Sequence, residues 1–302
     1  MKTSVLILTL VLGAVTVRGA ADACKATTKA ASRSCLSDAK GDNALALGKC
    51  ANLTDAVARK ACQDQAKLDL QDALNECKDQ ADARAIACER LGSAPYDPVI
   101  VPTNFVGTID NPFYPLVPGT TFIYVGTIEG AVESNVVAVT HNTKVILGVK
   151  CIEVRDTVFT DGVLTEDTLD WFAQDKDGNV WYFGENTHEL DGNEITNIDG
   201  SFKAGVDGAK PGIVMKANPA VGDFYRQEFD LDNAEDLAEV LSLTNTVPVP
   251  YGTFPGCLKT EETTPLEPDA RENKFYAPGI GPILTMDLVG DETLPLVQIT
   301  TE

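Results

Sequence analysis

The sequence predicts an α+β protein: a disulfide-stapled helical hairpin domain followed by a mainly antiparallel β domain. Three observations carry this. The 2 Trp, 7 Tyr and 11 Phe of the 302-residue chain all lie at or beyond Tyr96. Six of the 8 cysteines lie before it, in a Pro-free segment rich in Ala, Asp, Lys and Gln, residues that favour helix apart from Asp. From Thr120 onward, apolar and polar residues alternate with the period of a half-buried strand and are cut by turn pairs.

The chain begins MKTSVLILTLVLGAVTVRGAADAC. Lys2, an apolar run over Ser4–Val17 that is short for a bilayer span, and small residues at Gly19–Ala21 make the pattern of a secretory signal peptide over residues 1–20. Cys24 is a poor lipid-attachment site, because the usual Leu is missing and the apolar run is distant. No later stretch is apolar enough to cross a membrane, so the expected protein is secreted or periplasmic, with no membrane span. An oxidising compartment suits the cysteines. The net charge of −21 becomes −23 when Lys2 and Arg18 leave with the leader. With no Lys/Arg cluster, nucleic acid is excluded as a partner. The acidity keeps an exported chain soluble and also attracts cations.

Residues 21–92 form the Cys-rich helical domain. It has no aromatic ring to build a core, and such small domains need covalent staples. Cys24 and Cys35, Cys50 and Cys62, and Cys77 and Cys88 form three couples in loosely repeating text. Eleven residues of helix separate the members of a couple by roughly 16 Å, too far for a disulfide, so the bonds join different helices. A fold-back about Gly41-Asp42 sets Cys24 against Cys62 and Cys35 against Cys50. A later turn would instead allow Cys62–Cys77 with Cys50–Cys88. In the first arrangement Cys77 and Cys88 are left for Cys151, Cys257 or another chain. Zinc is disfavoured because no couple has ligands two to four residues apart. Asn52-Leu53-Thr54 is a glycosylation sequon.

Residues 93–112 form a Pro-rich linker; six of the 16 prolines fall within 93–118 and exclude helix. The β domain spans 113–302. TTFIYVGTIEG and ESNVVAVTHN make a hairpin. KVILGVKCIEVRDTVF is a long strand that Asp161-Gly162 turns into VLTEDTLDWFAQ. The stretch DWFAQDKDGNVWYFGE then reads as two strands joined at Asp175-Lys176-Asp177-Gly178, a type I turn closed by a Gly bulge. On either side the rings alternate, one face building core and the other a concave or paired surface. Later strands include IVMKANP, DFYRQEFD, CLKTEET, KFYAPGIG and PILTMDL, while AEDLAEVLSL is ambiguous between helix and strand.

Calcium fits the hairpin turn poorly. Asp175, Asp177 and Asn179 occupy the first three ligand positions of a helix–loop–helix calcium loop, but Val180 stands where Gly belongs and Asn186 where Glu belongs. These three remain candidates for a non-standard site. DLDNAED (Asp230–Asp236) fails similarly, with Leu241 at the twelfth position.

Four blocks in order carry a resemblance. NPFYPLVPGTTFIYVG (Asn111–Gly126), DWFAQDKDGNVWYFGE, VPVPYGTFPGCLKTEE (Val247–Glu262) and KFYAPGIGPI (Lys274–Ile283) resemble segments of uncharacterised families of secreted bacterial proteins and lipoproteins. The resemblance implies a curved antiparallel sheet, half-barrel or barrel-like, similar to that of the lipoprotein-localisation factor. It implies no catalytic residue and no ligand, since fold does not fix function.

Recognisable chemistry is sparse. His141 and His188, the latter between Glu185 and Glu189, read as solvated loop histidines. Ser201 lacks the second Gly of a nucleophile turn, and there is no nucleotide or zinc-protease fingerprint. Glu166, Asp167 and Asp170 share a strand, with Glu166 and Asp170 on one face at a separation compatible with an acid/base pair. Cys151 and Cys257 are expected to pair. Three functions follow, in order of preference. The first is a secreted non-enzymatic protein binding an apolar small molecule or a protein partner on a curved sheet, without a cofactor. The second is an acidic extracellular structural or surface protein responsive to calcium. The third is a carboxylate-dependent hydrolase.

Overall fold

The computed structural model describes residues 22–290 and 292–302; the expected signal peptide lies outside the described residues. Two long helices, α1 (Ala23–Ala51) and α2 (Ala56–Leu91), pack as a hairpin. Asp22 caps α1 by accepting from the Lys25 amide at 3.0 Å, and Asp55 caps α2 by accepting from the Ala58 amide at 2.7 Å. Each satisfies an amide that the first helical turn leaves without a partner. Between them, Arg59 donates to the carbonyls of Leu53 and Thr54 and fixes the turn.

That turn corrects the expected disulfides. α1 runs straight through Gly41-Asp42, and the chain reverses at residues 52–55 instead. The bonds are Cys24–Cys88, Cys35–Cys77 and Cys50–Cys62, so neither Cys24–Cys62 nor Cys35–Cys50 forms. All three are centred on Ala56. Cys50 and Cys62 pair within their couple because they lie on different helices. The hairpin's buried residues are otherwise mainly alanines (Ala31, Ala39, Ala66 and Ala87), so the staples carry what a core would. Cys24, held by Cys88, has no sulfur free for a lipid.

The remaining chain forms one 15-stranded sheet. Its first half comprises β1 (Thr120–Ile128), β2 (Ala131–Ile146), β3 (Val149–Thr160), β4 (Val163–Gln174) and β5 (Val180–Asp191), a run of antiparallel hairpins. Short strands follow: β6 (Glu194–Asn197), β7 (Phe202–Lys203), β8 (Lys210–Met215), β9 (Phe224–Arg226) and β10 (Glu228–Phe229). The second half is β11 (Leu237–Val249), β12 (Gly252–Thr263), β13 (Arg271–Ala277), β14 (Gly281–Asp287) and β15 (Thr293–Thr301). β11 settles the ambiguous AEDLAEVLSL as strand. β15 pairs with β1 and joins the halves, giving the order β10-β8-β5-β4-β3-β2-β1-β15-β14-β13-β12-β11-β9.

The two ends of that order are one piece of chain. β9 pairs with β11, β10 pairs with β8, and only Gln227 separates them. A single extended segment thus ties both edges, and the sheet returns on itself around a concave interior. Gly212 on β8 permits the approach, since a Cβ there would lie 2.2 Å from the Gln227 carbonyl. Such a device covers part of each edge strand, Leu237–Glu239 of β11 and Lys210–Pro211 of β8, and so limits unwanted pairing there.

The opposite face carries a second apolar cluster of Ile146, Val149, Cys151, Trp171, Ala173 and Phe183, covered by Ile100 and Phe105. These two come from the Pro-rich segment, which is pinned rather than free. Gln174 accepts from the Asp110 and Asn111 amides, both at 2.9 Å, while Asn111 donates to the carbonyls of Gly178 and Lys216. The expected Cys151–Cys257 bond does not form: both thiols are free and buried. Cys151 lies in the outer cluster and Cys257 in the main core, with five strands between their own in the sheet.

The hairpin is clamped to the sheet. Arg84 of α2, 3 % exposed, meets Glu235, 1 % exposed, through Nε and Nη2 at 3.0 and 2.7 Å, and reaches Asp232 at 3.2 Å. Farther along α2, Arg90 bonds Glu239 at 2.6 Å and lies 3.8 Å over the Phe224 ring. The DLDNAED segment that reads as a failed calcium loop is therefore the socket for a guanidinium.

Candidate functional site

Alternation along the central strands decides what points inward. On β4, Trp171 and Ala173 face the outer cluster, so Asp170 and Phe172 face the interior. On β3 the same phase brings Val154 and Asp156 inward, and on β5 Tyr182 stacks on Phe172 with ring centroids 4.7 Å apart. The aromatic alternation around Asp175–Gly178 therefore divides as the sequence suggests, with core on one face and a concave surface on the other.

The interior holds a cavity of about 350 Å³. Its walls come from β1–β5, β8, β10, β12–β15 and the lead-in residues Tyr114, Pro115 and Leu116. Aromatic rings form much of the apolar lining. Among them stand six carboxyl groups, Asp156, Asp170, Glu185, Glu228, Asp236 and Glu262, and one ammonium, Lys274.

Glu262 and Lys274 satisfy each other at 2.9 Å. Tyr276 and Thr260 also donate to Glu262, at 2.7 and 3.0 Å. Burial alone would raise this carboxyl; Lys274 and the two hydroxyls outweigh it and hold Glu262 below the usual range. Burial also works against the Lys274 charge, but Glu262 and Glu272 overcome it and raise that pKa.

The other carboxyls have hydrogen-bond partners at most and, among the described residues, no ion pair. The Tyr182 hydroxyl lies 2.5 Å from Asp170 Oδ1 and 2.8 Å from Glu185 Oε2. A phenol has one proton to give, so both contacts are hydrogen bonds only when a carboxyl also carries a proton. Burial, then the neighbouring Asp156 and Glu185, push Asp170 well above the carboxylate range. Burial likewise takes Glu185 to about 7. Asp156, raised to about 7 by burial and then by Glu166, has an Oδ1 that is buried with no hydrogen-bond partner. Glu228 is 7 % exposed and is raised well above its normal value by burial and by Asp236.

The sequence-derived candidates fare differently. Asp170 is in the cavity; Glu166 is outside its lining and takes the Thr168 hydroxyl at 2.9 Å. Asp167 is spent on Arg155 at 2.8 Å. A hydrolytic reading of Asp170 with Glu185 meets a steric objection, because the Tyr182 hydroxyl fills the gap that a water or glycosidic oxygen needs. Asp175 Oδ1 accepts from the Asn179 amide at 2.9 Å, and Oδ2 from Asn179 Nδ2 and Trp181 Nε1, both at 2.8 Å. Asn179 Oδ1 takes the Ala217 amide, and Asp177 is exposed. These groups build the turn, whose Gly178 has φ of +97°. Among the described residues no group of three or more His, Cys, Asp or Glu side chains is placed to hold a metal ion.

His141 and His188 lie in strands β2 and β5 rather than in loops; the turn-like residues THNT around His141 coincide with irregular pairing after Val139. Ser201 brackets the Thr187 backbone, accepting from its amide and donating to its carbonyl. Asp156, Glu185, Glu228, Asp236 and Glu262 escaped the sequence reading. The available signal was phase: Val154 and Asp156, like Asp170 and Phe172, sit two apart on one strand and so share its inner face. A second depression, of about 490 Å³, lies near Glu133, Arg271 and Glu292; Arg271 is already bonded to Glu261 there.

No protein-family model and no curated protein matches the chain. Among solved structures, a similar chain is a protein from Parabacteroides distasonis described provisionally as a lipoprotein. It is 14 % identical, with a TM-score of 0.31, over 62 % of this chain and 98 % of that one. A likeness at that level carries no argument about function. No helix among the described residues is long and apolar enough to cross a membrane.

Proposed function

We propose that this is an exported, non-enzymatic binding protein that holds a small molecule inside its curved sheet. The observation that carries the reading is the cavity itself. It is ringed by strands from both halves of the sheet and walled by aromatic rings, and it contains the buried, unpartnered Asp156 Oδ1. A buried polar group without a partner costs about 1–3 kcal/mol, and a ligand that supplies the missing donor removes that cost. The volume lies within the usual range for small-molecule sites. Three disulfides support passage through an oxidising compartment.

Native mass spectrometry of the mature, oxidised protein from its own source tests this. The expected result is a mass excess that disappears on organic extraction. A bare mass, together with no binding from small-molecule extracts of the source, would overturn the reading in favour of a structural or partner-binding role.

A further inference from the structure

The chemistry of the cavity goes beyond the presence of a ligand. The inference here rests on the small-molecule reading above and specifies the ligand's class. Six carboxyl groups meet one ammonium, and that ammonium is already bonded to Glu262. One feature beyond this acidity calls for a donor: Asp156 Oδ1 is buried with no partner. The carboxyl of Glu228, 7 % exposed and lining the cavity, is met by the Asp236 backbone amide and has no counter-charge. Apolar walls complete the site: Phe122, Tyr124, Phe172 and Tyr276 present rings to the same space.

We propose that the cavity binds a small organic ammonium, its charged head among Asp156, Glu228 and the Tyr182-bridged pair, and its apolar body against the rings. An ammonium supplies an N–H donor to Asp156 Oδ1, which has none, and a counter-charge to carboxyls that form no ion pair. Aromatic faces attract a cation through the ring quadrupole, most strongly where it is desolvated. A fatty acid fits the charge poorly, since its carboxylate would enter among like charges with Lys274 already engaged. A metal ion fits the geometry poorly: among the described residues no three of these carboxyls stand close enough together to coordinate one ion, a spacing that a larger organic cation does not require.

Uptake of a cation is linked to protons. Asp156, Asp170 and Glu185 face one another from β3, β4 and β5, with Tyr182 between the last two. Glu228 and Asp236 face them from the joining segment and the start of β11, and the Glu262–Lys274 pair from β12 and β13. Without ligand, burial and mutual repulsion raise the pKa of Asp156, Asp170, Glu185 and Glu228. An arriving ammonium favours their ionised forms, so binding releases protons and weakens as pH falls.

Isothermal titration of the oxidised protein with phenethylammonium, hexylammonium and 1,5-diaminopentane, each beside its hydroxyl analogue, tests the class. At least one ammonium should bind about tenfold or more tightly than its neutral analogue near pH 8, and lose about tenfold per displaced proton per pH unit toward pH 6. Asp156→Asn and Glu228→Gln should each weaken the ammonium and leave the neutral analogue unchanged. Asp177→Asn, which removes the same charge from an exposed turn, should change neither. Equal binding of the neutral analogues, or binding only of a fluorescent fatty acid, would overturn the ammonium proposal and leave the binding-protein reading standing. No binding by any probe, with no co-purified ligand, would overturn both.

Discussion

The helical hairpin and the β unit hold themselves together by different means. The hairpin has no aromatic ring and buries mainly alanines, yet it carries three disulfides. The β unit has an extended apolar core, no disulfide, two free cysteines and several buried carboxyls without counter-charges. A unit that constrains its unfolded chain covalently can present a polar surface on nearly every side. A unit with a large core can tolerate costly polar groups inside, and those groups are where a ligand can act.

Reduction should break this contrast most sharply. The Cys24–Cys88 bond spans 64 residues, and closing such a loop contributes about 4 kcal/mol on the chain-entropy scale. The nested inner bonds add less, because each shortens the loop that the outer one closes. Full reduction is expected to abolish the helical signal in far-ultraviolet circular dichroism. Aromatic near-ultraviolet bands report only the β unit, since no ring precedes Tyr96, and these should persist. Simultaneous loss of both signals would show that the two regions fold as one.

Breaking the Arg84 clamp should have the next largest effect. Arg84→Met leaves Glu235 charged and buried with the Asp232 amide, at 2.9 Å, but without its ion-pair partner, which costs about 3–5 kcal/mol. The double variant Arg84→Met/Glu235→Met, which removes both charges, should recover most of that stability in denaturant unfolding. A double variant as unstable as the single would mean that the loss comes from packing rather than from an abandoned charge.

The carboxyls in the cavity should give the β unit an unusual pH response. Burial pushes Asp156 and Glu185 up to about 7 in the folded protein, well above unfolded carboxyls. A raised folded pKa means the native state binds more protons, so the stability these groups contribute is full below the unfolded pKa and is lost as pH rises through the folded one. Without ligand, melting of the aromatic bands should therefore fall as pH rises from about 5 to about 8. Asp156→Asn should flatten that fall by roughly 1–2 kcal/mol, less than the full shift implies because Asp156 keeps some exposure to solvent. An identical slope in the variant would remove Asp156 from the set.

How far these features were legible in the sequence depends on what determines them. Fold class follows from composition and period, so the change at Tyr96 and the alternation from Thr120 sufficed. The hairpin at Asp175–Gly178 rests on local turn chemistry and was equally readable. The disulfides were misread because Gly41-Asp42 looks like a turn, although a single Gly costs an exposed helix only about 1 kcal/mol. The correct signal was the mirror symmetry of the spacings: Cys24 to Cys35 matches Cys77 to Cys88, and Cys35 to Cys50 matches Cys62 to Cys77. Only a turn near Ala56 respects it. The cavity was largely invisible because its carboxyls come from distant strands, and their convergence depends on the joining of β9 and β10 across the sheet's two edges. That step is tertiary, and no local pattern encodes it.

The smallest effect returns to the hairpin and to the turn that the sequence concealed. Asp55 accepts from the Ala58 amide and starts α2, and losing such a cap typically costs about 1 kcal/mol. In the oxidised protein the Cys50–Cys62 bond spans only 12 residues and holds both sides of the turn whether or not the cap is present. Asp55→Ala is therefore expected to lower oxidised stability by about 1 kcal/mol at most. In a Cys50→Ser/Cys62→Ser background the same change should free the whole turn and increase local amide exchange from Ala56 to Arg59. If the cap mattered equally in both backgrounds, the innermost disulfide would not be what positions the turn. The hairpin would then depend on local hydrogen bonds there and on covalent bonds only farther out.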